Sequence, residues 1–152
     1  MNILFLYPNH KGNYMLPPAI GILSSILKRD GHNVDLFDTT QYVSFELDRR
    51  PTVDVDKSKV EKLMARPFEL SEKMIENYGD IYEDFLNKVE SFSPELIALS
   101  ATEDLWLPGI SLLKKITHKK ILTIAGGVFP TFAPELAISY QEIDIICRGE
   151  GE

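Results

Sequence analysis

The chain has 152 residues, of which 44% are hydrophobic and 26% charged, values typical of one globular domain with its own core. Its formal charge of −7 argues against a nucleic-acid-binding module, which usually carries a basic patch. The single cysteine, Cys147, excludes an intramolecular disulfide and any iron–sulfur or multi-cysteine metal site built from this chain alone. The first residues lack a basic leader and no apolar run approaches ~20 residues, so we expect a cytoplasmic protein with no membrane partner.

The first forty residues predict a strand–helix–strand unit. Residues 3–7 are apolar throughout and predict a central strand that ends at Pro8. After a loop of turn formers, Pro17-Pro18 opens a helix with apolar residues at helical spacing, and Gly31 ends it. Residues 34–37 predict the second strand. Such a unit is parallel, with a right-handed crossover.

Three more strands are predicted, at residues 96–99, 121–125 and 143–147, the last of which would bury the thiol of Cys147. Residues 41–70 lack a periodic pattern and predict an irregular insertion. A long amphipathic helix is predicted from Ser71 to Phe92, with Gly79 as its weak point. Five strand–helix repeats indicate an α/β fold, a doubly wound five-stranded parallel sheet in the flavodoxin-like order 2-1-3-4-5.

Small residues follow the predicted strands at their carboxyl ends. They are Ser100-Ala101-Thr102, Gly126-Gly127 and Arg148-Gly149, and the loop 9–18 follows the first strand. In an open α/β sheet these ends form the crevice that binds ligands. Hydroxyls and bare backbone suit a large, flat, amide-rich ligand. Tight turns explain each loop singly but not all of them together. The common nucleotide, zinc-protease and serine-hydrolase motifs are absent, and we assign no catalytic residue.

Four segments of the chain together resemble a known family. They are Pro17-Pro18-Ala19-Ile20-Gly21-Ile22-Leu23 with Gly31-His32-Asn33-Val34, Ser100-Ala101-Thr102, Gly126-Gly127-Val128-Phe129-Pro130-Thr131 and Arg148-Gly149-Glu150-Gly151-Glu152. In this order they are similar to the N-terminal cobalamin (B12)-binding domain of B12-dependent radical S-adenosylmethionine (radical SAM) enzymes. The resemblance covers the whole chain except residues 41–70.

The resemblance implies a Rossmann-like, cobalamin-binding domain over residues 1–152. It implies that the nucleotide tail of cobalamin lies beside Ser100, Thr102, Gly126 and Gly127. The corrin ring would lie over the strand ends, near residues from two loops: Val128 and Phe129, and Asn9, His10, Tyr14 and Leu16. Ala101, Arg148 and Gly149 complete the cofactor-binding residues that the resemblance implies.

We do not expect His10 to ligate cobalt. The related B12-dependent mutases and methionine synthases place the cobalt-binding histidine in the pattern D-x-H-x-x-G. Here Pro8 stands two residues before His10 and Asn13 three residues after it, so the pattern is not met. We therefore expect His10 to be a polar loop residue beside the corrin, with no protein ligand to the metal.

The same resemblance implies a larger parent enzyme. A radical SAM domain, with a 4Fe-4S cluster and S-adenosylmethionine, would follow residue 152 and serve as partner to this domain. The parent reaction would be methyl transfer with cobalt as the methyl carrier, and this chain alone would not be an enzyme. A flavodoxin-like interaction or regulatory module that binds no cofactor stays open as the alternative.

Overall fold

The computed structural model describes residues 1–10, 17–43 and 77–151. Their core is a five-stranded sheet in the order β2-β1-β3-β4-β5. The strands are β1 (Asn2–Tyr7), β2 (Asn33–Asp38), β3 (Leu96–Ser100), β4 (Leu122–Gly126) and β5 (Ile145–Ile146). All neighbouring strands pair in parallel, and β1 lies between β2 and β3. The predicted fold class, strand order and interior position of the first strand are confirmed.

Short helices connect the strands. They are α1 (Pro18–Arg29), α2 (Ile81–Phe92), α3 (Glu103–Leu113), α4 (Val128–Phe132) and α5 (Pro134–Ile138), with a 3₁₀ turn over Lys114–Lys119 after α3. None of the helices in the described ranges is long and apolar enough to cross a membrane. α4 begins directly after the glycine pair, one helix earlier than the sequence pattern predicted.

The two faces of the sheet differ in how they are covered. Alternate residues point to opposite faces of a strand. One set packs against α2 and α3 and is fully buried; this covered face comprises Leu4, Leu6, Ile97, Leu99 and Ala125. The other set borders a cavity beside α1; this open face comprises Ile3, Phe5, Leu96, Ala98 and Ile124. The covered face therefore supplies most of the hydrophobic core.

A helix was predicted from Ser71, but within the described residues α2 begins only at Ile81. The prediction that Tyr78 and Gly79 lie inside this helix was wrong. Tyr78 is 76% exposed rather than in the core. The Gly79 N–H donates to Asn77 Oδ1 at 2.8 Å, which makes a turn. Asp80 then caps α2, because its Oδ1 accepts the Tyr82 N–H at 2.8 Å. Residues 71–76 lie outside the described residues.

The predicted insertion over residues 41–70 can be followed only at its start. Tyr42 and Asn77 form a parallel bridge, with the Val43 N–H donating to the Asn77 carbonyl at 3.0 Å. The Tyr42 hydroxyl donates to Asp84 of α2 at 2.8 Å. Residues 44–70 lie outside the described residues, so the prediction that they are irregular stays a prediction.

Candidate functional site

A groove of about 560 Å³ runs along the open face, between α1 and α4. Its floor is the open-face set, and its upper end is lined by Ser100 and Gly126, at the carboxyl ends of β3 and β4. Its walls are Ala19, Leu23, Ile26 and Leu27 of α1, Val128, Thr131 and Phe132 of α4, and Cys147, Gly149, Glu150 and Gly151 after β5. This cavity is the open groove. Its volume lies within the roughly 300–1,000 Å³ usual for small-molecule sites.

The groove exists because the residues above its apolar floor are small. Ser100 pairs in register with Gly126, and neither carries a side chain long enough to reach α1. α1 contributes half-buried aliphatic residues rather than a fully packed face, since Leu23, Ile26 and Leu27 all border the cavity. The result is an apolar slot whose upper end offers a hydroxyl and bare backbone.

Glycine is required at position 127, because the loop after β4 contacts the loop after β3 there. Gly127 has φ +98°, a conformation that side chains other than glycine rarely adopt. A Cβ there would lie 3.0 Å from the Ala101 carbonyl oxygen and 3.3 Å from the Ala101 nitrogen. The same carbonyl accepts the Phe129 N–H at 3.4 Å. Any residue but glycine would therefore disturb the loops themselves before it met a ligand.

Gly126 is different, because a Cβ there would make no tight contact within the protein. A Cβ at this position would meet Cys147 Cβ at 3.7 Å and the Cys147 carbonyl at 3.8 Å, which are ordinary contacts. A longer side chain could be accommodated by the fold but would enter the open groove. Ser100, beside it, makes no side-chain hydrogen bond to the described residues, so its hydroxyl is available to a ligand.

Thr131 ties the wall of α4 to the segment after β5. Its hydroxyl donates to the Gly127 carbonyl at 2.7 Å and accepts the Gly149 N–H at 3.2 Å. Farther along, a Cβ at Gly151 would lie 3.1 Å from Cys147 Sγ and 3.9 Å from Leu23 Cδ2. The segment 149–151 thus runs from β5 toward α1 beside the groove.

The structure separates the predicted site residues into three groups. The first group lines the open groove: Ser100, Gly126, Gly127, Val128 and Gly149. The second lies next to it or elsewhere at the carboxyl edge: Ala101, Thr102, Phe129, Arg148, Asn9 and His10. The third, Tyr14 and Leu16, lies outside the described residues. That these residues contact a ligand stays a prediction. The fold does bring the described ones together at the carboxyl edge of the sheet.

The second group has identifiable local roles. Ala101 is buried beneath Gly127, and the Thr102 hydroxyl donates to the Asp104 carboxylate. Phe129 turns away from the groove and packs against Trp106, with ring centroids 4.8 Å apart and ring planes tilted by 41°. Asn9 is buried and bonded to Thr39, whereas Arg148 is exposed.

Cys147 does not have the position predicted for it. We expected a buried thiol within the last strand, but β5 ends at Ile146 and Cys147 is half-buried on the groove wall. The Cys147 N–H still donates to the Ala125 carbonyl at 2.8 Å, so the chain stays beside β4. The last strand is an edge strand, which no further strand covers among the described residues, and its end is therefore accessible.

Sequence reasoning missed the wall residues. Leu23 and Leu27 belong to the apolar pattern of α1, and their helical spacing does not distinguish a core position from a groove position. Phe132 is 84% exposed on the rim, and no sequence pattern distinguishes it. A usable signal was the alternation within the strands, which places Ala98 and Ser100 on the same face as Ile124 and Gly126.

The groove is almost uncharged. Glu150 is the one ionisable carboxylate among its described lining residues. At the neighbouring end of β1, burial and then the negative charge of Asp38 raise the pKa of the Tyr7 phenol, which stays protonated at neutral pH. Within the described part of the chain no group of His, Cys, Asp and Glu is placed to hold a metal ion. The arrangement suits a largely neutral ligand held by backbone, hydroxyl and apolar contacts.

Comparisons with known proteins agree with this geometry. The B12 binding domain family model matches residues 64–152, more than half of the chain. The chain matches no curated protein sequence.

Two similar solved structures are of the radical S-adenosylmethionine methyltransferase TsrM from Kitasatospora setae. One holds tryptophan substrate and the SAM analogue aza-SAM, and the other holds cobalamin and a [4Fe-4S] cluster. Each gives a TM-score of 0.59 at 14% identity over 91% of this chain. This chain spans only 21% and 20% of those chains, and at that identity the likeness concerns the fold.

Proposed function

The chain belongs to the B12-binding domain family, and we propose that it is the part of a radical SAM methyltransferase that binds cobalamin, in the open groove. The observation that carries this proposal is the groove itself. Ser100, Gly126 and Gly127 form its upper end, and the apolar open face continues below them. A ligand with a long, narrow arm that makes backbone, hydroxyl and apolar contacts fits such a slot better than a compact one does.

The residues present fit the nucleotide tail of cobalamin. The tail would enter between α1 and α4, with Ser100 offering a hydroxyl and Gly126 allowing close approach to the main chain. Ala98 and Ile124 would contact its aromatic base through apolar surface. Val128 and Phe132, exposed on the rim, are the residues of this chain that would contact the larger corrin. Bound cobalamin supplies a cobalt centre that can carry a methyl group.

The catalytic partner in this proposal is a radical SAM domain of the same parent protein. A 4Fe-4S cluster needs several thiolates, and this sequence has one cysteine, so the cluster and S-adenosylmethionine would be bound outside residues 1–152. The chain in the two TsrM structures is more than four times as long as this one, which fits a division into cofactor and radical domains. The substrate that would receive the methyl group is not assigned.

Cofactor retention tests the proposal directly. The protein is incubated with hydroxocobalamin and desalted, and the visible absorbance of the protein fraction is measured. We expect a coloured protein with one cobalamin per chain. Gly126→Leu should remain folded but elute colourless, because a Cβ there makes only ordinary contacts and the residue borders the groove. A colourless wild-type protein would instead favour the interaction or regulatory module.

A matched control uses another glycine. Gly21 lies on the exposed side of α1, and a Cβ there would meet nothing within 4 Å. Gly21→Leu changes the chain by the same atoms as Gly126→Leu but does not reach the groove. It should retain cobalamin like the wild type. Equal binding by Gly126→Leu and Gly21→Leu would place the ligand somewhere other than the open groove.

A further inference from the structure

A buried polar cluster joins the loop after β1 to the loop after β2. Asn9 is 2% exposed and Thr39 is 0% exposed. The Asn9 N–H donates to Thr39 Oγ1 at 2.7 Å, and the Thr39 hydroxyl donates back to the Asn9 carbonyl at 2.8 Å. The Asn9 side-chain amide donates to Thr40 Oγ1 at 2.9 Å, and Asp38 accepts both the N–H and the hydroxyl of Thr40. These four residues are the Asn9 latch.

The Asn9 latch holds the chain segments after β1 and β2 together beyond the last backbone pair of these two strands. The parallel register between β1 and β2 ends at the pair Tyr7 and Asp38. Past that point two loops would normally separate, but here side chains replace the backbone ladder. Burying polar groups costs free energy unless they are hydrogen-bonded, and the latch bonds satisfy theirs. A satisfied buried network specifies one backbone conformation, which an apolar contact would not do.

The latch fixes the main chain at His10. The Asn9 Oδ1 accepts the His10 N–H at 2.9 Å, so the side chain that is anchored to Thr40 also holds the next residue. His10 is half-buried, at the carboxyl edge of the sheet. In the order 2-1-3-4-5 the chain reverses its direction of winding between β1 and β3, and ligands bind outside the carboxyl ends of the strands at that point. The latch therefore stands at the border of the ligand crevice.

We propose that the Asn9 latch is a positioning device that holds His10 against the bound corrin. This inference rests on the proposed function. Asn9 and Thr39 are too deeply buried to touch a ligand, so they act through His10 rather than by direct contact. This assigns Asn9 a role different from the direct cofactor contact that the sequence suggested. The latch also explains why Thr39 and Thr40 follow β2, although neither residue lines the open groove.

Thr39→Val and Thr39→Ser form a matched pair for the test. Valine has the same shape but no hydroxyl, so Asn9 loses two hydrogen bonds; serine keeps the hydroxyl. A loop that is less often in its competent conformation binds proportionately more weakly. In hydroxocobalamin titrations of the whole chain we expect Thr39→Val to bind about threefold more weakly, as much as the loss of the His10 contact itself, and Thr39→Ser to bind like the wild type.

A spectroscopic measurement separates positioning from stability. The imidazole NMR signal of His10 is assigned by its loss in His10→Gln and followed as hydroxocobalamin is added. We expect a shift in the wild type and in Thr39→Ser, and a shift of less than half that size in Thr39→Val. Should Thr39→Val fail to fold, Thr40→Val, which leaves the bonds between Asn9 and Thr39 in place, should show the same loss in weaker form.

The outcomes distinguish the two proposals. A wild type that binds hydroxocobalamin without any change in the His10 signal would overturn the latch proposal and leave the proposed function standing. So would a Thr39→Val protein with wild-type affinity and a wild-type His10 shift. A wild type that retains no cobalamin would overturn the proposed function, and the positioning role with it.

Discussion

The two faces of the sheet are built from the same strands, residue by residue in alternation, yet they serve different purposes. On the covered face Leu4, Leu6 and Ile97 are completely buried against α2 and α3. On the open face Ala98 and Ile124 remain partly exposed beside a cavity. In the proposed function, stability and ligand binding fall on opposite sides of one layer. Ala98 and Ser100 are small residues on the side that borders the cavity.

The division of the two faces between stability and binding does not hold at Gly127. A Cβ at Gly126 would make only ordinary contacts, whereas a Cβ at Gly127 would press against the Ala101 backbone, so Gly127 also determines the local fold. A substitution at either glycine should affect ligand binding, but only one of them should affect folding. The predictions below test the separation, from the largest expected effect to the smallest.

Gly127→Leu should abolish cobalamin retention and also lower the stability of the protein. Strain at a positive φ costs about 1–3 kcal/mol, and the Cβ would lie within 3.0 Å of the Ala101 oxygen. Urea unfolding measures the stability and desalting with hydroxocobalamin measures the binding. If the variant folds and binds as tightly as the wild type, the ligand does not approach the main chain at this loop.

Two alanines compare the faces directly. Ala125 on the covered face is fully buried, and Ala98 on the open face lines the groove. Ala125→Leu should destabilise the protein by about 1–3 kcal/mol, because it overpacks the core. Ala98→Leu should leave the urea midpoint nearly unchanged but weaken hydroxocobalamin binding about five- to hundredfold, because the added atoms take ligand space.

If Ala125→Leu and Ala98→Leu lose stability equally, the two faces of the sheet do not differ in the way proposed. The same follows if Ala98→Leu binds cobalamin like the wild type, since the open face would then be ordinary core. The two substitutions add the same atoms to neighbouring strands, so each serves as the control for the other.

His10→Ala should weaken cobalamin binding only about threefold, the scale of one modest contact. We expect the visible spectrum of the bound cofactor to stay nearly the same, because we do not assign His10 as a cobalt ligand. Absorbance titration gives both quantities. A large change in the cobalt spectrum would make His10 the lower ligand to the metal, contrary to our interpretation of the unmatched histidine motif.

The smallest effect is expected at the edge of the covered face. Burial raises the pKa of Asp35, but hydrogen bonds from Lys88 and the Leu36 N–H, together with the charges of Lys88 and Lys28, bring it below its ordinary value of 3.8. The net stabilisation is present above the unfolded-state pKa and is lost as the pH falls through the lower folded-state pKa. Both side chains of the Lys88–Asp35 ion pair are partly exposed, so screening limits its value to about 1 kcal/mol or less.

Lys88→Met measures that contribution. Its urea midpoint should fall below the wild-type midpoint at neutral pH, and the difference should shrink as the pH drops below about 3.8. Cobalamin binding should not change, because the ion pair lies on the side of the sheet opposite the groove. A difference that grew toward acid pH would have the wrong sign for a lowered pKa.

The fold was predictable because its signals are local. Strand 3–7, the proline-opened helix and the glycine pair after residue 125 each combine an apolar period with a turn former, and the parallel order follows from their succession. The start of α2 was missed for a local reason as well. Asn77 and Asp80 bind backbone N–H groups, and this capping chemistry outweighs the apolar period that continued through Tyr78.

The candidate site was predictable only at its upper end. Ser100, Gly126 and Gly127 stand out in the sequence because small residues at the ends of buried strands are informative by themselves. The walls of the groove are not, since Leu23 and Cys147 look like ordinary core residues. Whether they face core or cavity depends on what lies across from them, and that is set by residues more than a hundred positions away.

The sequence by itself therefore determined the class of fold, the order of its strands and the loops that meet at their carboxyl ends, because hydrophobic period and turn chemistry act over a few neighbours. Only the tertiary structure decided that one face is sealed by α2 and α3 and the other left open. Only it showed that Gly127 is required by the Ala101 backbone while Gly126 borders space, and that Asn9 is locked inward by Thr39. These are matters of close approach between distant segments, which no local pattern encodes.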